Sequence, residues 1–170
     1  MQLFGPGGEL LVGDSIKLET REGNRIRNEQ HFQRDDAAMA VAEDLARRYG
    51  IQGTRSLSSI YNCFGMVFAS RRTKVFPDDI RMILTDDRYR QLRSVEQVIA
   101  GDLVLYTDNR GRYSHVAVVI SPRFGEGGVG NDPLVLSQWG ADGEYLHRSS
   151  RVNPWLGNPT EFWTERYGIS

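Results

Sequence analysis

A chain of 170 residues with 39% hydrophobic and 25% charged content fits one globular domain and can bury about two-thirds of the surface its unfolded form exposes. A net charge of −1 sets up no field that would gather nucleic acid or an anionic membrane, and no stretch approaches the ~20 apolar residues of a membrane span. A single cysteine cannot close an internal disulfide, so the composition does not call for an oxidising compartment.

Residues 1 to 34 read as an N-terminal extension packed on the domain, glycine-rich at first and then polar. The opening Met1-Gln2-Leu3-Phe4-Gly5-Pro6-Gly7-Gly8 lacks the basic residues and long apolar core of a secretory signal. The expectation is a protein made in the cytoplasm, with export by a signal-independent route left open. Ser15-Ile16-Lys17-Leu18-Glu19-Thr20 alternates as a strand does, and Glu22-Gly23-Asn24 would turn it. His31, in a polar segment, is expected in solvent.

Asp35 to Tyr49 carries the clearest helical pattern. Asp35 or Asp36 caps it, Ala38, Val41, Ala42, Leu45 and Tyr49 form one stripe, and Gly50 ends it. Tyr61-Asn62-Cys63-Phe64-Gly65-Met66-Val67-Phe68 follows a hydroxyl-rich loop. Phe64, Val67, Phe68 and Arg71 repeat at helical spacing, Asn62 is a suitable N-cap, and Cys63 takes the first helical position. A thiolate is favoured there over a thiol. Against that stands the ordinary fate of a free cysteine, which is burial as a small hydrophobe. Arg71-Arg72-Thr73-Lys74 reads as a solvated basic face. Pro77-Asp78-Asp79 opens a short helix through Ile80, Ile83 and Leu84, and a charged loop or helical piece runs from Thr85 to Leu92.

From residue 95 the period becomes strand-like. Leu103 to Tyr106 and Tyr113 to Ile120 form a hairpin about Asp108-Asn109-Arg110-Gly111. A glycine-rich loop follows, then strands at Leu134 to Trp139 and Glu144 to His147, and an aromatic tail over 152–170 that wraps the sheet. Helices followed by an antiparallel meander define an α+β fold in one domain.

His115 begins a strand whose next five residues are apolar, a place where an imidazole held on a rigid edge can serve a thiol as general base. A third group would orient that ring through its other nitrogen. Ser137 and Gln138 lie on opposite faces of the next strand and His147 on the one after. Ser137, which shares a face with Val135 and Trp139, and His147 are the two candidates for that third group. One cysteine and three scattered histidines match no zinc spacing, so neither metal nor other cofactor is expected.

Three pieces in order carry a family resemblance: Asn62-Cys63-Phe64-Gly65-Met66-Val67, Gly101-Asp102-Leu103-Val104-Leu105-Tyr106 and Ser114-His115-Val116-Ala117-Val118-Val119. The layout resembles the NlpC-type papain-like cysteine peptidases, over roughly residues 55 to 150, with Leu136-Ser137-Gln138-Trp139-Gly140 and His147 resembling a bacterial branch with a Tyr-Asn-Cys core. The resemblance implies a thiol-bearing helix packed on an antiparallel sheet, with Cys63 as nucleophile and His115 as base. The third polar place falls at Ser137 or Gln138, and Tyr61 and Asn62 lie beside the oxyanion site. The sequence departs from the family in Phe64, where the pattern has a small residue after the cysteine. The implied activity is amide cleavage, in peptidoglycan stem peptides or another peptide. Acyl transfer or deamidation of a target protein would use the same residues, and a binding module would keep the fold without the chemistry.

Overall fold

A computed structural model of the chain describes residues 15–30, 36–53, 58–122, 132–139 and 143–167. The expectations for His31, for a cap at Asp35 and for the glycine-rich loop at 125–130 lie outside those residues.

Three helices and nine strands are assigned among them. They run β1 (Asn28–Glu29), α1 (Asp36–Tyr49), β2 (Gln52–Gly53), α2 (Cys63–Phe68), β3 (Lys74–Val75), α3 (Ile80–Asp86) and β4 (Arg90–Gln91). Then follow β5 (Leu103–Thr107), β6 (Tyr113–Ser121), β7 (Leu134–Gln138), β8 (Glu144–Arg148) and β9 (Asn158–Thr164). All three helices come before β5, interleaved with the two-residue strands β1 to β4, the longer strands follow, and every strand pair is antiparallel, which makes the class α+β. A seven-stranded sheet has the order β2-β8-β7-β6-β5-β9-β4, so the expected meander β5-β6-β7-β8 is its centre.

Several expectations change. Arg90–Gln91, in the stretch expected as a loop or helical piece, is strand β4, paired with β9. The segment 15–20 is not a strand; Glu19 makes one isolated bridge to Arg25, and the segment is tied down through Asn28, whose Oδ1 accepts from the Ile16 N–H (2.9 Å) and the Thr73 hydroxyl (3.1 Å). The C-terminal segment does not lie over the sheet as a tail. Asn158–Thr164 joins it as β9, between β5 and β4, where its backbone groups pair instead of needing water. An ion pair pins the chain beyond it: the Arg166 guanidinium donates to both oxygens of the buried Asp102 carboxylate, at 2.7 and 3.2 Å.

The two faces of the sheet bury two separate cores. Leu103, Leu105 and Val116 face the helices and pack with Cys63, Phe64, Ile80, Ile83 and Leu84. Val104, Tyr106, Ala117, Val119, Val135, Trp139 and Tyr145 face the other way. This is the period-two alternation of a strand with both faces covered. Helix α2 sits very close to the strand side: a Cβ on Gly65 would fall 1.7 Å from the Thr73 carbonyl oxygen, so only glycine fits. Phe64 is fully buried, and Val67 and Phe68 pack against the same core. In α1, Val41 is 49% exposed rather than buried, and the side chains of Ala38, Ala42, Leu45 and Tyr49 lie outside what the structure describes.

Candidate functional site

Cys63 occupies the first position of α2, as expected, and Asn62 is the N-cap: its Oδ1 accepts from the Gly65 N–H at 2.8 Å. The same amide is fully engaged with β3, accepting from the Val75 N–H (3.1 Å) and donating to the Val75 carbonyl (2.9 Å). Asn62 is therefore a strut between α2 and β3, not a donor available to an oxyanion. The helix is six residues long.

Cys63 is 6% exposed. Burial pushes its pKa up to about 12, because a thiolate loses its hydration there. Backbone hydrogen bonding by Val116, Phe64 and Cys63 itself pulls the other way. Burial wins, so the resting sulfur is a thiol.

His115 is wholly buried, and burial first, with nearby His147 second, pushes its pKa down to about 3. Its ring tilts against that of Tyr106, with centroids 5.1 Å apart, and Tyr106 is its directly opposed partner on β5. Neither ring nitrogen has a hydrogen-bond partner. The expected meeting of imidazole and thiol is thus not made in this form: Cys63 packs with Val116 and Leu105 on the helix side, and His115 shares the face of Tyr106 and Ala117. The cause is local. Between Tyr106/His115 and Thr107/Tyr113 the register shifts by one, leaving Ser114 as a bulge residue. Tyr113 therefore belongs to the helix-side core and His115, two residues on, does not.

Ser137 and His147 bind each other rather than His115. Ser137 Oγ and His147 Nε2 are 2.7 Å apart, and His147 Nδ1 lies 2.8 Å from the Arg148 carbonyl. A carbonyl can only accept, so Nδ1 carries the proton and Nε2 accepts from the serine hydroxyl. Trp139 Nε1–H completes the set by donating to Ser137 Oγ at 3.1 Å. Burial also lowers the His147 pKa. Val135, Ser137 and Trp139 are all buried, which agrees with the face expected for Ser137.

Gln138 is buried on the helix side, where its Nε2 donates to the Ser58 carbonyl in the approach to α2, at 3.2 Å. The Tyr61 hydroxyl is not free for an oxyanion: it donates to Glu144 Oε1 at 2.8 Å. Arg71 meets the same carboxylate with two donors, Nε on Oε1 and Nη2 on Oε2, the latter at 3.0 Å. This corrects the reading of Arg71 as part of a solvated basic run. Glu144, 3% exposed, is a residue the sequence reading does not single out; its one signal is a carboxylate next to the apolar pair Tyr145-Leu146 at the start of a strand.

Among the described residues no group of three metal-ligating side chains comes together, and no helix is long and apolar enough to cross a membrane. A cavity of about 300 Å³ lies away from Cys63, lined by Ser15, Ile16, Lys17, Leu18, Glu19 and Arg25. Comparison with known proteins returns nothing to set beside this geometry: no family model, no curated protein and no solved structure matches the chain.

Proposed function

We propose that the chain is a thiol-dependent amide hydrolase of NlpC-like, papain-like architecture, drawn here in an uncharged resting form. The observation that carries the reading is the packing of Cys63 against Val116, the residue immediately after His115, in one buried cluster. It brings the one thiol to the strand that bears an imidazole with both nitrogens unbonded. Backbone hydrogen bonding at Cys63 is of the kind that stabilises a thiolate and then an acyl oxyanion. A buried ring without a partner is costly, and such groups are retained where they serve a task.

In the reaction, His115 takes the Cys63 proton as the sulfur attacks an amide carbonyl, and returns it to the departing amine; water then releases the acyl group. The step needs the ring and the sulfur to come within hydrogen-bond reach, a displacement that substrate binding has to drive. A peptide, including a peptidoglycan stem peptide, is the substrate class. Acyl transfer and side-chain deamidation follow from the same thioester.

One observation favours a second reading, a binding module without catalysis: the ring faces the core opposite to the sulfur, and both groups are neutral. Incubation of wild-type protein and Cys63→Ala with peptidoglycan fragments and peptide libraries, followed by intact-mass analysis, separates them. Hydrolysis gains water across a cleaved bond, deamidation adds roughly one dalton, and both vanish in Cys63→Ala. Equal turnover by wild type and Cys63→Ala refutes the thiol mechanism, and no turnover by either supports the module.

A further inference from the structure

One carboxylate holds both ends of the cysteine helix. Tyr61, two residues before Cys63, donates its hydroxyl to Glu144 Oε1, and Arg71, three residues past the end of α2, grips both oxygens. Glu144 opens β8 and is 3% exposed, so this is a buried charge fully occupied by hydrogen bonds, the arrangement a buried ion requires.

The grip also sustains an unfavourable backbone. Ser70 and Arg71 both lie in the left-handed region, at φ 49° and 65°, and neither is glycine. Two such residues in succession persist only where the surroundings over-determine them. Here the Arg71 N–H and the Ala69 N–H both donate to the Gly65 carbonyl, at 3.0 and 3.1 Å, and the Arg71 guanidinium is anchored on Glu144. The turn therefore folds back over α2 and delivers Arg71 to the same carboxylate that Tyr61 reaches from the other end.

We infer that Glu144 is the positioning residue for Cys63, fixing the helix so that the sulfur is held, covered, against Val116 of β6; the inference rests on the thiol-hydrolase reading. Glu144 touches neither sulfur nor substrate. It acts through Tyr61 and Arg71, and its loss lets the segment from 61 to 71 move away from β6.

The test is alkylation of the full chain by iodoacetamide across pH, alongside turnover of whichever peptide wild type cleaves. Wild type labels slowly, with a midpoint above pH 10. Glu144→Ala and Arg71→Ala label at least tenfold faster at pH 8.5, with the midpoint at least one pH unit lower, because exposure relieves the burial that raises the thiol pKa. Arg166→Ala, which breaks the distant ion pair to Asp102, is the control at matched urea stability and labels within twofold of wild type.

If Glu144→Ala fails to fold, Glu144→Gln and Tyr61→Phe replace it, each removing one element of the grip, with an expected threefold acceleration. Labelling that is no faster than in Arg166→Ala, or than in wild type for the milder pair, overturns the inference. Faster labelling together with lost turnover is the signature of positioning. Faster labelling in a protein whose wild type cleaves nothing keeps Glu144 as the helix anchor and removes the hydrolase reading. Turnover that survives Glu144→Gln with unchanged labelling does the reverse.

Discussion

The buried thiol makes a quantitative statement about stability against pH. Cys63 has its pKa pushed from an ordinary thiol value to about 12, with burial as the main cause. The folded value lies above the unfolded one, so the folded state holds the proton more tightly. Its contribution is fully present below the unfolded pKa of about 8.5 and drains away as the pH rises toward 12. Each pH unit inside that window is worth about 1.4 kcal/mol. At pH 10 wild type should therefore lose roughly 2 kcal/mol through this one group. Tyrosines and lysines titrate nearby, but they cancel when wild type is compared with Cys63→Ala at each pH. Removing a buried sulfur costs about 1 kcal/mol at pH 7, comparable to deleting a methylene or slightly more. The difference in urea unfolding free energy between the two proteins should then shrink and change sign between pH 7 and pH 10. A difference that is constant over that range means the sulfur is hydrated, and the argument from burial fails.

Four further outcomes follow from named groups. His115, held near pKa 3 by burial and His147, is a base with a depressed folded value, so its contribution is present above about 6.5 and is lost as pH falls. Wild type should lose about 3 kcal/mol between pH 6.5 and 4.5 through it, a loss that His115→Leu does not show in urea titrations at the two pH values. Because neither ring nitrogen is bonded, His115→Leu should also stay within about 1 kcal/mol of wild type at pH 7; a penalty above 3 would mean the ring has a partner. In a double-mutant cycle with Ser137→Ala and His147→Phe, the 2.7 Å bond predicts a coupling of about 1–2 kcal/mol, and additive losses would contradict it. Gly157→Ala places a Cβ 2.4 Å from the Thr107 carbonyl oxygen at φ 95°, and should cost about 3 kcal/mol or more in chemical denaturation.

Much of this architecture was legible because it rests on short-range rules. The capped start of α2 at Asn62, the stop of α1 at Gly50, and the hairpin around Asp108 to Gly111 all follow from residues within one turn of each other. So does the face shared by Val135, Ser137 and Trp139, which needs only alternation. The misreadings involve partners far away in the chain. Asn158–Thr164, with proline and three polar residues as its first four positions, carries no clear alternation. It becomes a strand because β5 offers an open edge and β4 needs a neighbour. Arg71 looked like one cation in a basic run, and only the fold brings Glu144, 73 positions further on, against it. Tyr61 looked available for an oxyanion for the same reason.

The side on which His115 stands is the point on which the chemistry turns. Strict alternation from Tyr113, which packs on the helix side, would put His115 on that side too, facing the thiol. Ser114 breaks the count. Its hydroxyl donates to the Leu156 carbonyl at 2.7 Å, and Gly157 approaches so closely that a Cβ there would lie 2.5 Å from Ser114 Oγ. The bulge is thus clamped from outside the hairpin by the 154–157 turn, a segment more than 40 residues away. Within that turn Trp155 is 70% exposed. His115 and the residues after it keep continuous register with β5, so it is Tyr113 that the bulge sets apart from strict alternation.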